Sequence, residues 1–152
     1  MEKSSIPKKG PTSCANRHYP TMGLKDLCAM PVKSLLADNA LIYMWTTGPH
    51  MNSAVALLSA WGAPFKTVAF VWDKGRVNPG AYTMSEYEFV LVGKRGSIPK
   101  PRGIRNARQK VVHPRMEHSR KPEDVHHRID LMHPGQRKIE LFARRPYPGW
   151  EC

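Results

Sequence analysis

The chain has 152 residues, of which 41% are hydrophobic and 24% charged, and a net charge of +12. This length and balance fit one domain with a core of its own and exclude a disordered or collagen-like chain. No apolar run approaches the roughly 20 residues of a membrane helix, and Met1-Glu2-Lys3-Ser4-Ser5 is no signal peptide, so a cytoplasmic protein with no membrane partner is expected.

Residues 1–18, polar and rich in Lys, Ser and Pro, read as a flexible arm or loop. Leu24, Leu27, Met30, Leu35 and Leu36 recur at helical spacing, broken at Pro31. Ala40 to Trp45 is an unbroken apolar run that predicts a buried strand. Thr46-Thr47-Gly48-Pro49 turns the chain, Met51 to Trp61 predicts a helix closed by Gly62, and Lys66 to Trp72 predicts a second strand. Strand, helix and strand in about 30 residues make a βαβ unit, whose right-handed crossover sets the two strands parallel and the class as α/β.

A loop from Asp73 to Ser85 leads to a third strand, Tyr87 to Gly93. From Lys94 to Lys121 there are ten Lys or Arg against one acid, Glu117, with Val111-Val112 as a short apolar interruption. Such a run suits a polyanion, with Lys100, Arg102, Arg105, Arg108, Lys110 and Arg115 as candidates for phosphate contacts; the alternative is a solvated loop that serves solubility. Pro122 to Met132 predicts a helix with Val125, Ile129 and Met132 on one face, stopped by His133-Pro134-Gly135. Ile139, Leu141 and Phe142 then read as a buried strand that empties into the Arg144-Arg145-Pro146-Tyr147-Pro148-Gly149 loop. Ligands of open parallel sheets sit where strands end, so this stretch is a candidate site, although an ordinary strand and turn is the simpler reading.

Cys14, Cys28 and Cys152 are odd in number and far apart, which suits reduced thiols better than a disulfide framework or a zinc site. His126 and His127 fall on different helix faces, so no metal site is expected. Glu86 and Glu88 alternate along a strand and read as a solvated edge. Tyr43, Trp45, Trp61, Phe70 and Trp72 read as core, with Trp45 set apart by its place at a strand end.

Seven segments in order carry a further signal: His18-Tyr19-Pro20-Thr21-Met22, Leu41-Ile42-Tyr43-Met44-Trp45-Thr46-Thr47, Ala60-Trp61-Gly62, Phe70-Val71-Trp72-Asp73-Lys74, Glu86 to Gly93, His118-Ser119-Arg120-Lys121-Pro122-Glu123-Asp124, and Arg137 through Trp150. Together they resemble the MT-A70 family of adenine-N6 methyltransferases, with the phage and bacterial type most similar. The resemblance implies a Rossmann-like sheet and S-adenosylmethionine as cofactor, held by Lys121, Glu140, Leu141, Phe142 and Arg144. It also implies a base-closing loop around Tyr19 and Thr21, with a loop-anchoring tyrosine as the alternative role of Tyr19; Trp45 is a substrate candidate by its place at a strand end.

The family's catalytic Asp-Pro-Pro-Trp does not occur in these residues, and no catalytic residue is identified. That motif's carboxylate and carbonyl would accept the hydrogens of adenine's poorly nucleophilic amine. Asn78-Pro79-Gly80-Ala81 lacks its second proline and aromatic, and Asp73 sits where the family strand continues, so neither replaces it. The chain also stops before the family's Trp-Gly-Asn-Glu. The expected domain is therefore partial, over 19–152, with a basic insertion at 94–121 and one central strand missing between the Ile139 and Leu41 strands. Losing that strand would forfeit about 0.5 to 1.5 kcal/mol per net hydrogen bond.

Three readings stay open. The first is an adenine-N6 methyltransferase of nucleic acid, DNA before RNA, with weak or no catalysis as this isolated chain. The second is a non-catalytic nucleic-acid-binding subunit whose partner supplies the missing strand, and the third is a truncated remnant.

Overall fold

The computed structural model describes residues 21–98, 101–117 and 120–152. Its elements are α1 (Leu24–Ala29), a 3-10 turn over Pro31–Leu35, β1 (Ala40–Thr46), α2 (Met51–Ala60), β2 (Phe65–Asn78), β3 (Ser85–Arg95), β4 (Lys110–Val112) and α3 (Asp124–Met132). Pro31 stops α1 as its missing amide requires. Gly62, at φ +83, closes α2 in the left-handed conformation that glycine adopts without steric cost.

The four strands form one sheet in the order β1-β3-β2-β4. Strand β3 is antiparallel to both β1 and β2, and β4 is parallel to β2, so β1, β2 and β4 share one direction. The expected parallel crossover from β1 through α2 to β2 is present, with β3 filling the slot between them. Period-2 alternation divides the apolar residues between two layers. Phe70, Trp72, Val90 and Val111 pack against Val125 and Ile129 of α3, with Tyr43 and Trp45 alongside. On the other face Leu91 packs against Ala54 and Leu58 of α2, while Leu57 and Trp61 meet Val32. Together these make a mixed sheet with helices on both faces, a Rossmann-like α/β fragment. Among the described residues no helix is long and apolar enough to cross a membrane.

Several expectations need correction. Residues Ile139 to Phe142 do not form a buried strand: Ile139 makes a single parallel bridge to Glu151, and Phe142, at φ +63, is 61% exposed. A strand needs a neighbour to supply its ladder, and a left-handed residue cannot continue one. The β1 strand, apolar at consecutive positions as if buried, pairs among the described residues with β3 alone and is a half-buried edge. The loop expected from Asp73 to Ser85 shrinks to residues 79–84, because Asp73 pairs with Tyr87 and Asn78 with Ser85 across a hairpin. Glu88 is not solvated, as described below.

The basic segment is not one surface. Its first half is pinned to the end of α3, where the Gly103 and Ile104 amides donate to the Met132 and Leu131 carbonyls at 3.0 and 2.9 Å. A Cβ on Gly103 would lie 1.8 Å from the Leu131 carbonyl oxygen, so only glycine allows this approach. Strand β4 then carries the chain along β2, and residues 113–117 emerge at the opposite end of the sheet. From Lys66 to Lys74 along β2 is about 26 Å at some 3.3 Å per residue, and this separates the two halves.

Candidate functional site

At the carboxyl ends of β1, β2 and β4, inward alternation brings charged residues onto the α3 face beside two tryptophans. Trp72 pairs across the sheet with Glu88, and Lys74 lies two residues further along the same face. Lys74 Nζ stands 3.7 Å from Glu88 Oε1, and Lys121, entering α3, donates to Glu88 Oε2. The three side chains are 9%, 15% and 28% exposed for Lys74, Glu88 and Lys121. The Lys121 ammonium also lies over the rings of Trp45 and Trp72, at 5.2 and 5.7 Å from their centroids. The two rings meet edge to face at 5.9 Å, and Trp72 Nε1 donates to the His113 carbonyl at 2.7 Å. A carboxylate this withdrawn from water is tolerable only when paired, and two lysines leave the trio with one net positive charge.

This trio adjoins a cleft of about 530 Å³ lined by Lys74, Arg76, Arg115 and Glu117 among others. Asp73 precedes this cleft on β2 and braces the backbone at Gly75. The carboxylate accepts from the Gly75 amide at 3.0 Å and pairs with Lys110 at 3.2 Å, and these contacts, the amide first, hold its pKa below the usual value. The His113 and Arg115 amides donate to the Asp73 and Lys74 carbonyls, which fixes Arg115 at this edge.

The C-terminal segment is tied to α3 by a second set of contacts. Glu140 Oε2 lies 3.0 Å from His126 Nε2, whose ring stacks on Tyr147 at 4.6 Å and meets Trp150 edge-on at 4.8 Å. Trp150 Nε1 donates to Asp130, which also pairs with Lys138 at 3.2 Å. Leu141 packs on the opposite side of the sheet, with Leu57 and Trp61. The next residue, Phe142, holds its ring in solvent on a strained backbone, a combination that accumulates at ligand sites.

The residues expected from sequence therefore fall into separate places. Lys121 and Trp45 come together with Trp72, while Glu140, Leu141 and Phe142 lie on the segment after α3, and Arg144 follows them, exposed. Arg115 is at the carboxyl edge, and Lys110 is paired with Asp73. Arg102 and Arg105 lie on the stretch pinned to the end of α3, and the Arg108 carbonyl accepts from Arg128. Thr21 is exposed, and Tyr19 and Lys100 lie outside the described residues. No three His, Cys, Asp or Glu side chains gather as a metal site among the described residues. Sequence reasoning missed Glu88 and Lys74. The available signal was their register: Phe70, Trp72 and Lys74 share one face, as do Glu88 and Val90, so both charges had to point inward.

Residues 3–152 match the family model MT-A70. Over 139 residues the chain is 51% identical to the Type II methyltransferase M.MunI of a Mycoplasma species, covering 91% of this chain and 60% of that protein. It is 32% identical to a putative N(6)-adenosine-methyltransferase MT-A70-like protein of Medicago truncatula, over 87% of this chain and 22% of the relative. It is 28% identical to the human N(6)-adenosine-methyltransferase catalytic subunit METTL3, over 76% of this chain and 21% of that protein. The chain thus spans about three fifths of the bacterial relative and about a fifth of the plant and human ones. With its whole described fold inside the matched region, the chain belongs to the MT-A70 family.

Proposed function

We propose that this chain carries the adenine-receiving part of an S-adenosylmethionine-dependent adenine-N6 methyltransferase that acts in the cytoplasm on nucleic acid, DNA before RNA. The observation that carries this reading is the Lys74–Glu88–Lys121 trio beside Trp45 and Trp72, at the strand ends and next to a basic cleft. Glu88 has lone pairs beyond those its two lysines occupy, and one can accept a hydrogen of adenine's exocyclic amine. This acceptance orients the nitrogen lone pair and favours the positive charge that develops there on methylation. Trp45, half-buried and braced by the buried Trp72, gives the base an apolar wall, while Arg76 and Arg115 take the phosphates on either side of it. Membership of the family and similarity to the Type II methyltransferase support the methyl-transfer chemistry.

The residues available for the cofactor fit its parts by type. Phe142 offers an exposed ring for an adenine face, Glu140 a carboxylate for ribose hydroxyls, and Arg144 a guanidinium for the methionyl carboxylate. Lys121 has a different task here, because it is engaged by Glu88. When bound, S-adenosylmethionine supplies an electrophilic methyl group.

A second reading is favoured by the outer edge of β1, an apolar strand that among the described residues is paired on one side only. In it, a partner protein adds a strand there and brings a second acceptor for the amine, and this chain alone binds substrate but methylates weakly. Incubation with labelled S-adenosylmethionine and mixed DNA and RNA tests both. Label on adenine in DNA, lost in Glu88→Gln, is the outcome expected of the first reading. Label that requires an added partner is the outcome of the second, and no adenine label under either condition would overturn both.

A further inference from the structure

The amino edge of the sheet holds a second cleft, remote from Glu88, of about 330 Å³. Leu41 of β1 and Val92 of β3 contribute apolar side chains to its lining, and Tyr43 and His133 line it with their polar ends joined at 2.9 Å. Burial pushes the Tyr43 phenol up to about 12 and, as the first cause, the His133 imidazole down, so near neutrality both groups are uncharged and share one hydrogen bond. These two groups satisfy each other and leave a non-ionic seat. Lys66 and Lys94 complete the lining. Unlike Lys74, Lys110, Lys121 and Lys138, neither is paired with a carboxylate among the described residues.

An apolar seat beneath two uncompensated ammonium groups matches a flat, largely apolar ring carrying a phosphate. Ile98 and Pro101, at the start of the basic segment, close one side, and the segment continues through Arg102 and Arg105 over the end of α3. We infer that this cleft is a second nucleotide site, which seats an unstacked base against Leu41, Tyr43 and Val92 and its phosphate between Lys66 and Lys94. The shared chemistry is a phosphorylated nucleobase. Continuity with the arginine-bearing segment makes its source a nucleic-acid strand, whose phosphate is held about 20 Å from Glu88, six residues along the sheet at some 3.3 Å each. On a duplex that distance is on the order of six base pairs at 3.4 Å each. The inference rests on the reading that the chain binds nucleic acid, and it adds where the strand is anchored away from the chemistry.

The test uses the full chain and a Lys66→Glu/Lys94→Glu variant, with Lys25→Glu/Lys33→Glu as a control of equal charge change. Anisotropy with a fluorescein-labelled single-stranded oligodeoxynucleotide should show affinity lower by about tenfold or more in the first variant. The slope of log affinity against log salt should shrink by about 1 to 2, with a smaller change in the control. Photocrosslinking from 5-iododeoxyuridine in the same oligonucleotide should map to the peptide containing Tyr43. Adenosine monophosphate is titrated in parallel: binding of it alone, lost in the same variant, keeps the site and makes a free nucleotide its source. Equal effects of both variants, with no crosslink at Tyr43, overturn the site while nucleic-acid binding stands. Failure of the unmodified chain to bind oligonucleotide or monophosphate overturns both.

Discussion

The two ends of the sheet use lysine in opposite ways. At the carboxyl edge Lys74 and Lys121 close on one withdrawn carboxylate beside tryptophan rings, whereas at the amino edge Lys66 and Lys94 rim an apolar cleft with no carboxylate partner among the described residues. A paired cluster holds its geometry before any ligand arrives, which is what chemistry on a weakly nucleophilic amine requires. An unpaired rim has little to hold it in one place and suits a diffuse polyanion. Net charge alone, or a count of basic residues between 94 and 121, does not distinguish the two.

Removing the carboxylate is the strongest way to break the contrast. Glu88→Ala would leave two mostly buried ammonium groups uncompensated and should cost about 3 kcal/mol or more, read as a lower urea midpoint. If stability is unchanged, the trio is solvated and the two edges are alike. Next in size, Gly103→Ala forces the basic segment off α3 and should cost about 1 to 3 kcal/mol. It should also weaken oligonucleotide binding through the amino edge, while binding of S-adenosylhomocysteine stays as it was. Trp72→Phe removes the donor to the His113 carbonyl and should cost roughly 1 kcal/mol from that bond, with some added loss of packing.

The smallest effect is one of pH. His133 titrates below 6.5 in the folded protein because burial, and then Lys138, oppose its charge. The unfolded chain therefore binds the proton more readily than the folded one between the depressed value and 6.5. Stability contributed by the neutral ring is fully present above 6.5 and is lost as pH falls through that window. Thermal melts at pH 7.5 and 5.5 should show this fall in the unmodified chain, and it should be shallower in His133→Gln. An unchanged slope would remove His133 as its source.

Much of this fold was legible in sequence, because α1, α2, α3 and the centres of β1, β2 and β3 follow apolar spacing with breakers at Pro31, Gly62 and Gly135. The strand order was not, since nothing local says that β3 inserts between β1 and β2. Ile139 to Phe142 misled for the same reason: its composition suits a strand, but the ladder depends on a neighbour elsewhere in the chain. Within the site, Lys121 and Trp45 stood out by motif and position. Glu88 was hidden because an alternating pair of acids on a strand ordinarily faces water, and only the register with Trp72 turns this one inward. The split of the basic segment depended on β4, three residues whose pairing with Val71, Trp72 and Asp73 cannot be read from Lys110 to Val112 alone.

The most direct test is discrimination by the Glu88 site itself. Two oligodeoxynucleotides that differ at one position, adenine in one and purine without the 6-amino group in the other, are titrated against the chain and against Glu88→Gln. A charge-assisted hydrogen bond from the amine to Glu88 predicts about tenfold tighter binding of the adenine strand, roughly 1.4 kcal/mol, with most of that preference lost in the variant. Equal affinity of the unmodified chain for the two strands would contradict the account.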